Sequence, residues 1–306
     1  MTSLKRIILF VLAFFLLAGC AANKPAVPPG KGDEGLEPIP HSQELPPGAQ
    51  RLAAEMKVHF LDVGQGDSIL IQFPDGRNML VDAGGNDDAS TVVNYLKKTG
   101  VKRLDYLIGT HPHEDHIGSL DTVINSFQIG EVFMPKVTHT TRTFQDVLEA
   151  IDRKGLQINP ARAGVTIMED GMLAARILAP CGEKYDELND YSAVIMLTCG
   201  EVSFLLTGDA EALSEKEILA SGASIKADVL KVGHHGSSSS TSAAFLKAVG
   251  PRYAVISVGA ENDYGHPHQA TLDRLKKQNV EVIRTDKQGT IIFTTDGKEL
   301  SFTTDN

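Results

Sequence analysis

Two apolar runs in this chain end on histidine in the same way. In Asp105-Tyr-Leu-Ile-Gly-Thr-His111 and in Asp228-Val-Leu-Lys-Val-Gly-His234, histidine follows aspartate by six positions across a stretch suited to a buried strand. A strand buried on both faces needs other layers above and below it. The surrounding elements recur as well. Met56–Val63, Ser68–Phe73 and Met79–Ala83 read as short strands with a turn at Phe73-Pro74-Asp75-Gly76-Arg77, and a helix over Ser90–Lys98 leads to the strand Asp105–Thr110. Later, Ser192–Thr198 and Val202–Leu206 read as a hairpin turning at Gly200-Glu201, followed by Gly208-Asp209, a helix near Glu211–Ala220 and a strand from Asp228. Helix Gln269–Gln278, strand Val280–Arg284 and the hairpin Thr290–Thr295 with Glu299–Thr303 close the chain. This order predicts an α/β domain with an internal duplication, each half offering loops at one edge of its sheet.

The first of these strands runs into Thr110-His111-Pro112-His113-Glu114-Asp115-His116. Imidazole nitrogens suit zinc and related first-row metals, and a carboxylate oxygen can complete or bridge such a site. A single histidine here would read as a loop residue; the H-x-H-x-D-H spacing argues for ligands. Two later strand ends add Leu205-Leu206-Thr207-Gly208-Asp209 and Val232-Gly233-His234-His235-Gly236. Side chains alternate along a strand, so His234 and His235 cannot both face one metal if the strand continues through them. The match to His111 favours His234 and leaves His235 for outer or substrate contact.

The N-terminus follows a different logic. Lys5 and Arg6 precede twelve apolar residues, Ile7 to Ala18, that close on Gly19-Cys20. Such a run falls short of the roughly 20 residues a membrane-spanning helix needs and fits the core of a secretory leader. The cysteine resembles the lipobox of bacterial lipoproteins, which implies removal of residues 1–19 and acylation of Cys20 by several chains, enough for stable anchoring outside the cytoplasm. Loss of Lys5 and Arg6 takes the net charge from −10 to −12, with 27 basic against 39 acidic residues. A chain this acidic has no general attraction for nucleic acid, so a polyanion would need a local basic patch or the metal itself. Lys136, Arg142, Lys231, Lys247, Arg252 and Lys276 are the basic candidates, most of them expected on the solvated surface. Seven of the fourteen prolines lie between Ala21 and Ala54, which predicts a semi-extended tether over residues 20–55 and one folded domain over 56–306. Cys181 and Cys199 sit in no ligand spacing and read as structural.

From about Met56 to Phe302, these strand-end motifs resemble the metallo-β-lactamase superfamily. The resemblance implies an αββα sandwich and two divalent metal ions, zinc or manganese. It places His111 and His113 on the first, Asp115 and His116 on the second, Asp209 between them, and a histidine of the Val232–Gly236 stretch, His234 by the match to His111, as the last ligand of the second. Most of that family carries another histidine before the strand leading to Gly-Asp. Here the segment Leu188-Asn189-Asp190-Tyr191-Ser192 holds none. Asn189, Asp190, Ser192 or a water are the open replacements, and an oxygen-richer first site would hold zinc less tightly and accept manganese more readily. Asp115 or Asp209 is expected to orient the attacking water, and His235 or His266 to protonate the leaving oxygen.

The ordered motifs FLDVGQGDS, THPHEDHIG, LLTGDAE, KVGHHGSS and NDYGHPH are similar to the C-terminal hydrolase domain of ComEC-type competence proteins. That likeness implies a phosphodiesterase or nuclease, without the many-helix membrane channel those proteins carry. Expected partners are therefore a phosphodiester, single-stranded DNA among the candidates, and a membrane through the lipid on Cys20; no protein partner is indicated. Substrate contact is expected from Asp67 and Ser68, with Gly64 and Gly66 permitting close backbone approach, and from Ser192. Ser237 and Ser238, at an expected helix start, and Asn262 complete the set. The rival readings are a small-substrate cell-envelope phosphodiesterase resembling phosphorylcholine esterases, then a β-lactamase, then a binding lipoprotein with a relict site.

Overall fold

The computed structural model describes residues 55–306. The leader, Cys20 and the Pro/Gly-rich stretch lie outside the described residues. Among the described residues, no helix is long and apolar enough to cross a membrane.

In the first half, β1 (Met56–Phe60), β2 (Ile69–Gln72) and β3 (Asn78–Val81) form an antiparallel meander. Helix α1 (Ala89–Lys98) carries the chain to β4 (Arg103–Ile108), which pairs parallel with β3. Two short helices, α2 (Glu114–Ile117) and α3 (Leu120–Ser126), lead to β5 (Gln128–Met134), and α4 (Arg142–Arg153) leads to β6 (Ile158–Pro160). The second half repeats the scheme. Its strands β7 (Thr166–Asp170), β8 (Leu173–Ala179), β9 (Val194–Cys199) and β10 (Val202–Leu206) are antiparallel neighbours. Helices α5 (Ala212–Ser221), α6 (Ala243–Val249) and α7 (Gln269–Lys277) then alternate with parallel strands β11 (Val229–Lys231), β12 (Tyr253–Ile256) and β13 (Glu281–Arg284). Finally β14 (Ile291–Thr295) returns to pair with β1, and β15 (Leu300–Thr304) forms the edge.

The sheet orders are β15-β14-β1-β2-β3-β4-β5-β6 and β13-β12-β11-β10-β9-β8-β7. Counted from β14 and from β7, each sheet runs three antiparallel pairings and then three parallel ones. The expected duplication is therefore present in the topology. Its two marker aspartates also do the same work. Asp105 Oδ2 accepts from the Asn78 N–H at 3.0 Å, and Asp228 Oδ2 accepts from the Ser203 N–H at 2.8 Å. Each carboxylate pins the start of its parallel strand to the strand before it.

Alternation along the strands produces the layers. Ile69 and Ile71 point into the core between the sheets, while Leu70 packs outward with Leu96, Val123 and Val147 of α1, α3 and α4. In the second sheet Phe204 and Leu206 face inward, and Leu205 packs with Ile218, Phe245 and Leu275 of α5, α6 and α7. The result is an αββα sandwich. Phe293 on β14 anchors the middle, meeting Phe60, Phe204 and Tyr253 edge-on at centroid distances of 6.1, 5.9 and 5.4 Å. Truncating such a buried ring to alanine costs about 3–5 kcal/mol.

Candidate metal centre

The parallel strands deliver the site. Where β3, β4, β10 and β11 end, loops from both sheets meet, and ligands gather at the carboxyl edge of parallel strands as in other layered α/β proteins. After β4, His111 is fully buried, while His113 precedes the first turn of α2, which holds Asp115 and His116. After β10, Gly208 takes a left-handed conformation that leaves room for Thr110, and Asp209 follows, buried.

Among the described residues three groups of donor atoms lie close together; two of them share Asp209, and the third, Asp67, Asp82 and His116, lies behind the His116 ring. Of the two that share it, His111, His113 and Asp209 form one; Asp115, His116, His235 and Asp209 form the other. In the first, His111 Nε2 lies 3.0 Å from His113 Nδ1 and 3.9 Å from Asp209 Oδ2. In the second, Asp209 Oδ1 lies 3.2 Å from His116 Nε2 and 3.5 Å from His235 Nε2, and Asp115 Oδ2 is 3.3 Å from the latter. One carboxylate thus presents a different oxygen to each group. His116 Nε2, His235 Nε2 and Asp209 Oδ1 are buried without a hydrogen-bond partner. Buried polar atoms are normally paired, and three lone pairs converging on one point fit a cation.

The rings are aimed from behind. His116 Nδ1 meets Asp82 Oδ2 at 2.8 Å, and His235 Nδ1 donates to the Ser257 carbonyl at 2.9 Å. Such contacts fix the tautomer and leave Nε2 free to ligate. Asp82 also accepts from the Thr110 N–H at 2.8 Å and from Thr110 Oγ1 at 2.7 Å, locking the residue before His111. Sequence reasoning passed over Asp82 as a strand residue; its one signal is a carboxylate closing an otherwise apolar run.

Electrostatics agree with the geometry. Burial alone would neutralise the carboxylates, but His116 and His235 outweigh it and hold Asp209 well below the usual carboxylate range. Asp115 is lowered by the same two rings against the same opposing burial. Burial likewise opposes charge on His116, yet Asp209, Asp115 and Asp82 push it well above the ordinary imidazole value. His111 stays neutral, chiefly through burial and then through His116. The centre is therefore a buried anionic cluster that needs positive charge among its carboxylates.

Several sequence expectations change. The strand β11 ends at Lys231, so alternation no longer governs the His pair. His234 and His235 both adopt left-handed backbone, with φ of 47° and 51°. Each such residue costs on the order of 1–3 kcal/mol and persists where surrounding structure enforces it. Here the His234 N–H donates to the Gly208 carbonyl at 3.2 Å and the Ser237 N–H to the His234 carbonyl at 2.7 Å, which hold the turn on both sides. The outcome reverses the expected roles: His235, not His234, joins Asp115 and His116, and it therefore leaves the set of proton donors. His266 stands 5.4 Å from His234 and 6.4 Å from His235, ring to ring. Burial, then its histidine neighbours, lowers its pKa to about 4, so at neutral pH it is not an imidazolium donor.

Among the expected substrate contacts, Asp67 is buried and bound to Lys231 Nζ at 3.0 Å, and Lys231 is the one of the six basic candidates that is buried. Ser68 is buried and donates to the Asp82 carbonyl; Ser192 is buried and accepts from the Asp209 N–H at 3.2 Å. These three build the site floor. The stretch Ser237–Thr241 precedes α6 without forming its start; the helix begins at Ala243 behind a Ser242 cap. Ser237 is buried, Ser238 is exposed, and Asn262 spends its side chain on the turn to His266. In the segment lacking histidine, Asp190 accepts from Ser214 Oγ, while Asn189 turns its amide nitrogen to Glu211. Gly66 is packed against the Asp115 carbonyl, where a Cβ would clash, so it serves the chain's own backbone, and a Cβ at Gly64 would meet nothing within 4 Å. Lys136, Arg142, Lys247, Arg252 and Lys276 are exposed. Cys181 is exposed and Cys199 buried, and both are free thiols.

The family model described as the metallo-beta-lactamase superfamily matches residues 61–260. The chain belongs to the metallo-β-lactamase superfamily. It is a metal-dependent hydrolase by that membership. Its relatives include ComE operon protein 3 of Bacillus subtilis, 34% identical over 79% of this chain and 33% of that protein. Competence protein ComA of Neisseria gonorrhoeae is 31% identical over 78% of this chain and 32% of its own length. The chain thus spans about a third of the length of the curated relatives it matches. Among solved structures, the metallo-β-lactamase fold protein YhfI of Bacillus subtilis shares the fold at a TM-score of 0.52 and 16% identity, over 79% of this chain and all of that one.

Proposed function

We propose that the chain is a phosphodiesterase acting on DNA or a related phosphodiester outside the cytoplasm, anchored through a lipid on Cys20. The observation that carries this reading is the shared Asp209 carboxylate, which turns one oxygen to each of two donor groups. Two divalent cations, zinc or manganese, would be held by His111, His113 and Asp209 on one side and by Asp115, His116, His235 and Asp209 on the other. Bound there, they would supply an acidified water and offset charge on the attacked phosphorus, which a stable ester requires.

The chain's own residues do the rest. Asp115 is the most open carboxylate of the second group, at 32% side-chain exposure, and is placed to orient the attacking water. Ser238, exposed in the loop that follows His234 and His235, offers its hydroxyl to a phosphate oxygen. Tyr264, 67% exposed and stacked 5.6 Å from His266, gives a base or sugar a flat face near the centre. The likeness to a relative named as a competence protein is in keeping with a DNA substrate.

The test is hydrolysis by the purified protein of single-stranded DNA and of bis-p-nitrophenyl phosphate, with zinc or with manganese. Cleavage of both substrates is expected, and His113→Ala should abolish both while leaving the protein folded. Cleavage of the small ester alone would favour the envelope phosphodiesterase, and failure with either metal would favour a binding protein. Full activity in His113→Ala would remove it from the ligand set.

A further inference from the structure

The two donor groups are unequal: the second has four members and the first only three. Zinc in protein sites is ordinarily four-coordinate, so the first group lacks a protein donor or leaves its fourth place to water. We propose that His234, which stands outside both groups as they are arranged without a cation, is that fourth donor, closing in from the other sheet's loop when the cation binds and turning the first group into three imidazoles and one carboxylate. The assignment rests on the two-cation reading above.

Three observations converge on it. His234 Nε2 lies 3.8 Å from Asp209 Oδ2, the oxygen that also faces His111 at 3.9 Å, whereas His235 faces Oδ1. Consecutive histidines in left-handed backbone thus address opposite oxygens of one carboxylate. Next, the far side of the His234 ring is built as ligand histidines are built. Its Nδ1 donates to Glu211 Oε1 at 2.8 Å, as His116 Nδ1 is held by Asp82 at 2.8 Å. An anionic acceptor on Nδ1 fixes the tautomer that leaves the Nε2 lone pair toward Asp209. Last, Glu211 is itself held, accepting from Asn189 Nδ2 at 3.2 Å and from Ser239 Oγ at 2.9 Å. The segment without histidine therefore contributes the support of this ring. Three imidazoles make the first group richer in nitrogen than the second, which favours zinc there and reverses the expectation of an oxygen-rich first site.

Metal content decides the matter without recourse to activity. The full chain is loaded with zinc, desalted and counted by mass spectrometry, and each affinity is measured by competition with a chromophoric chelator. Two ions per chain are expected for the wild type and one for His234→Ala. Glu211→Gln keeps the shape of the holding residue, removes its charge, and is expected to weaken one site about 10–100-fold. Near-UV circular dichroism checks the fold; if His234→Ala is unfolded, Glu211→Gln decides alone, and unchanged affinities overturn the proposal. Two ions at wild-type affinity in His234→Ala would also overturn it, leave the two-cation reading standing, and return the place to Asn189 Oδ1. Fewer than two ions in the wild type would overturn the two-cation reading and this assignment with it.

Discussion

At the end of β4 the chain passes directly through Thr110 into His111, whose ring enters the first donor group. At the end of β11 the chain instead turns left-handed at two successive histidines, and the second of them, His235, enters the second group. Three positions after the shared aspartate the halves differ again: the first has Ile108 in the apolar core, the second has Lys231, fully buried and bound to Asp67 of the first half. A duplicated backbone has delivered both strand ends to one place, and local changes have then given them different chemistry. The frame sets where ligands arrive, while the turn after the strand sets which of them arrive.

The largest effect should come from the residue that serves both groups. Asp209→Ala removes an oxygen from each, so both ions should be lost, with each affinity down by more than about 100-fold, beyond what a supporting residue gives. His113→Ala, by contrast, should release one. Metal counting on the two variants separates a shared bridge from two independent sites. If Asp209→Ala still held two ions, the division of its oxygens would have no functional meaning.

A smaller effect tests the Ile108 and Lys231 contrast. Lys231→Ile gives the second half the residue of the first, and it strands the Asp67 carboxylate in the interior. Removing one partner of a buried pair costs about 3–5 kcal/mol, whereas replacing both with apolar residues is often neutral. Urea denaturation with a chelator present throughout should show that loss for Lys231→Ile and recovery of most of it in Lys231→Ile/Asp67→Val. A single variant within about 1 kcal/mol of wild type would mean that water reaches the pair.

The same contrast shows what the sequence made legible. Most strand runs outside residues 117–180 were visible as alternating or apolar segments, and the two Asp-to-His spacings disclosed the repeat because they are local. The burial of Lys231 was not legible, since the carboxylate it meets lies far away in sequence, in the loop between β1 and β2. The match to His111 points to His234 because it carries the strand geometry of the first half past Lys231, where the backbone of the second half leaves the β region. Residues 117–180 went undivided: β5 is polar or only half-buried over its first residues, and β6 has three residues with none buried. Asp82 and Glu211 act through other residues and so carry no motif of their own.

The smallest predicted effect lies farthest from the centre. Strand register places His59 of β1 where the second half has Arg176 of β8: His59 faces Leu70, which faces Leu80, and Arg176 faces Met196, which faces Leu205. Arg176 is exposed and paired with Glu169, while His59 is buried against Tyr95, its Nδ1 2.9 Å from the hydroxyl. Burial first, and Lys57 next, lower the His59 pKa from 6.5 to about 4. The folded value lies below the unfolded one, so between them the unfolded chain binds more protons and stability rises with pH. The contribution is complete above about pH 6.5, shrinks as pH falls toward 4, and amounts to roughly 3 kcal/mol across the window. His116, buried in the same half but ringed by carboxylates, shifts the opposite way, so burial by itself does not decide the sign. Urea titrations of wild type and His59→Leu at pH 7.5 and 4.5 isolate the effect, because protonation of the metal centre is common to both proteins and cancels in the difference. The wild type should lose more stability than the variant on acidification; equal losses would mean that His59 reaches solvent, as its counterpart Arg176 does.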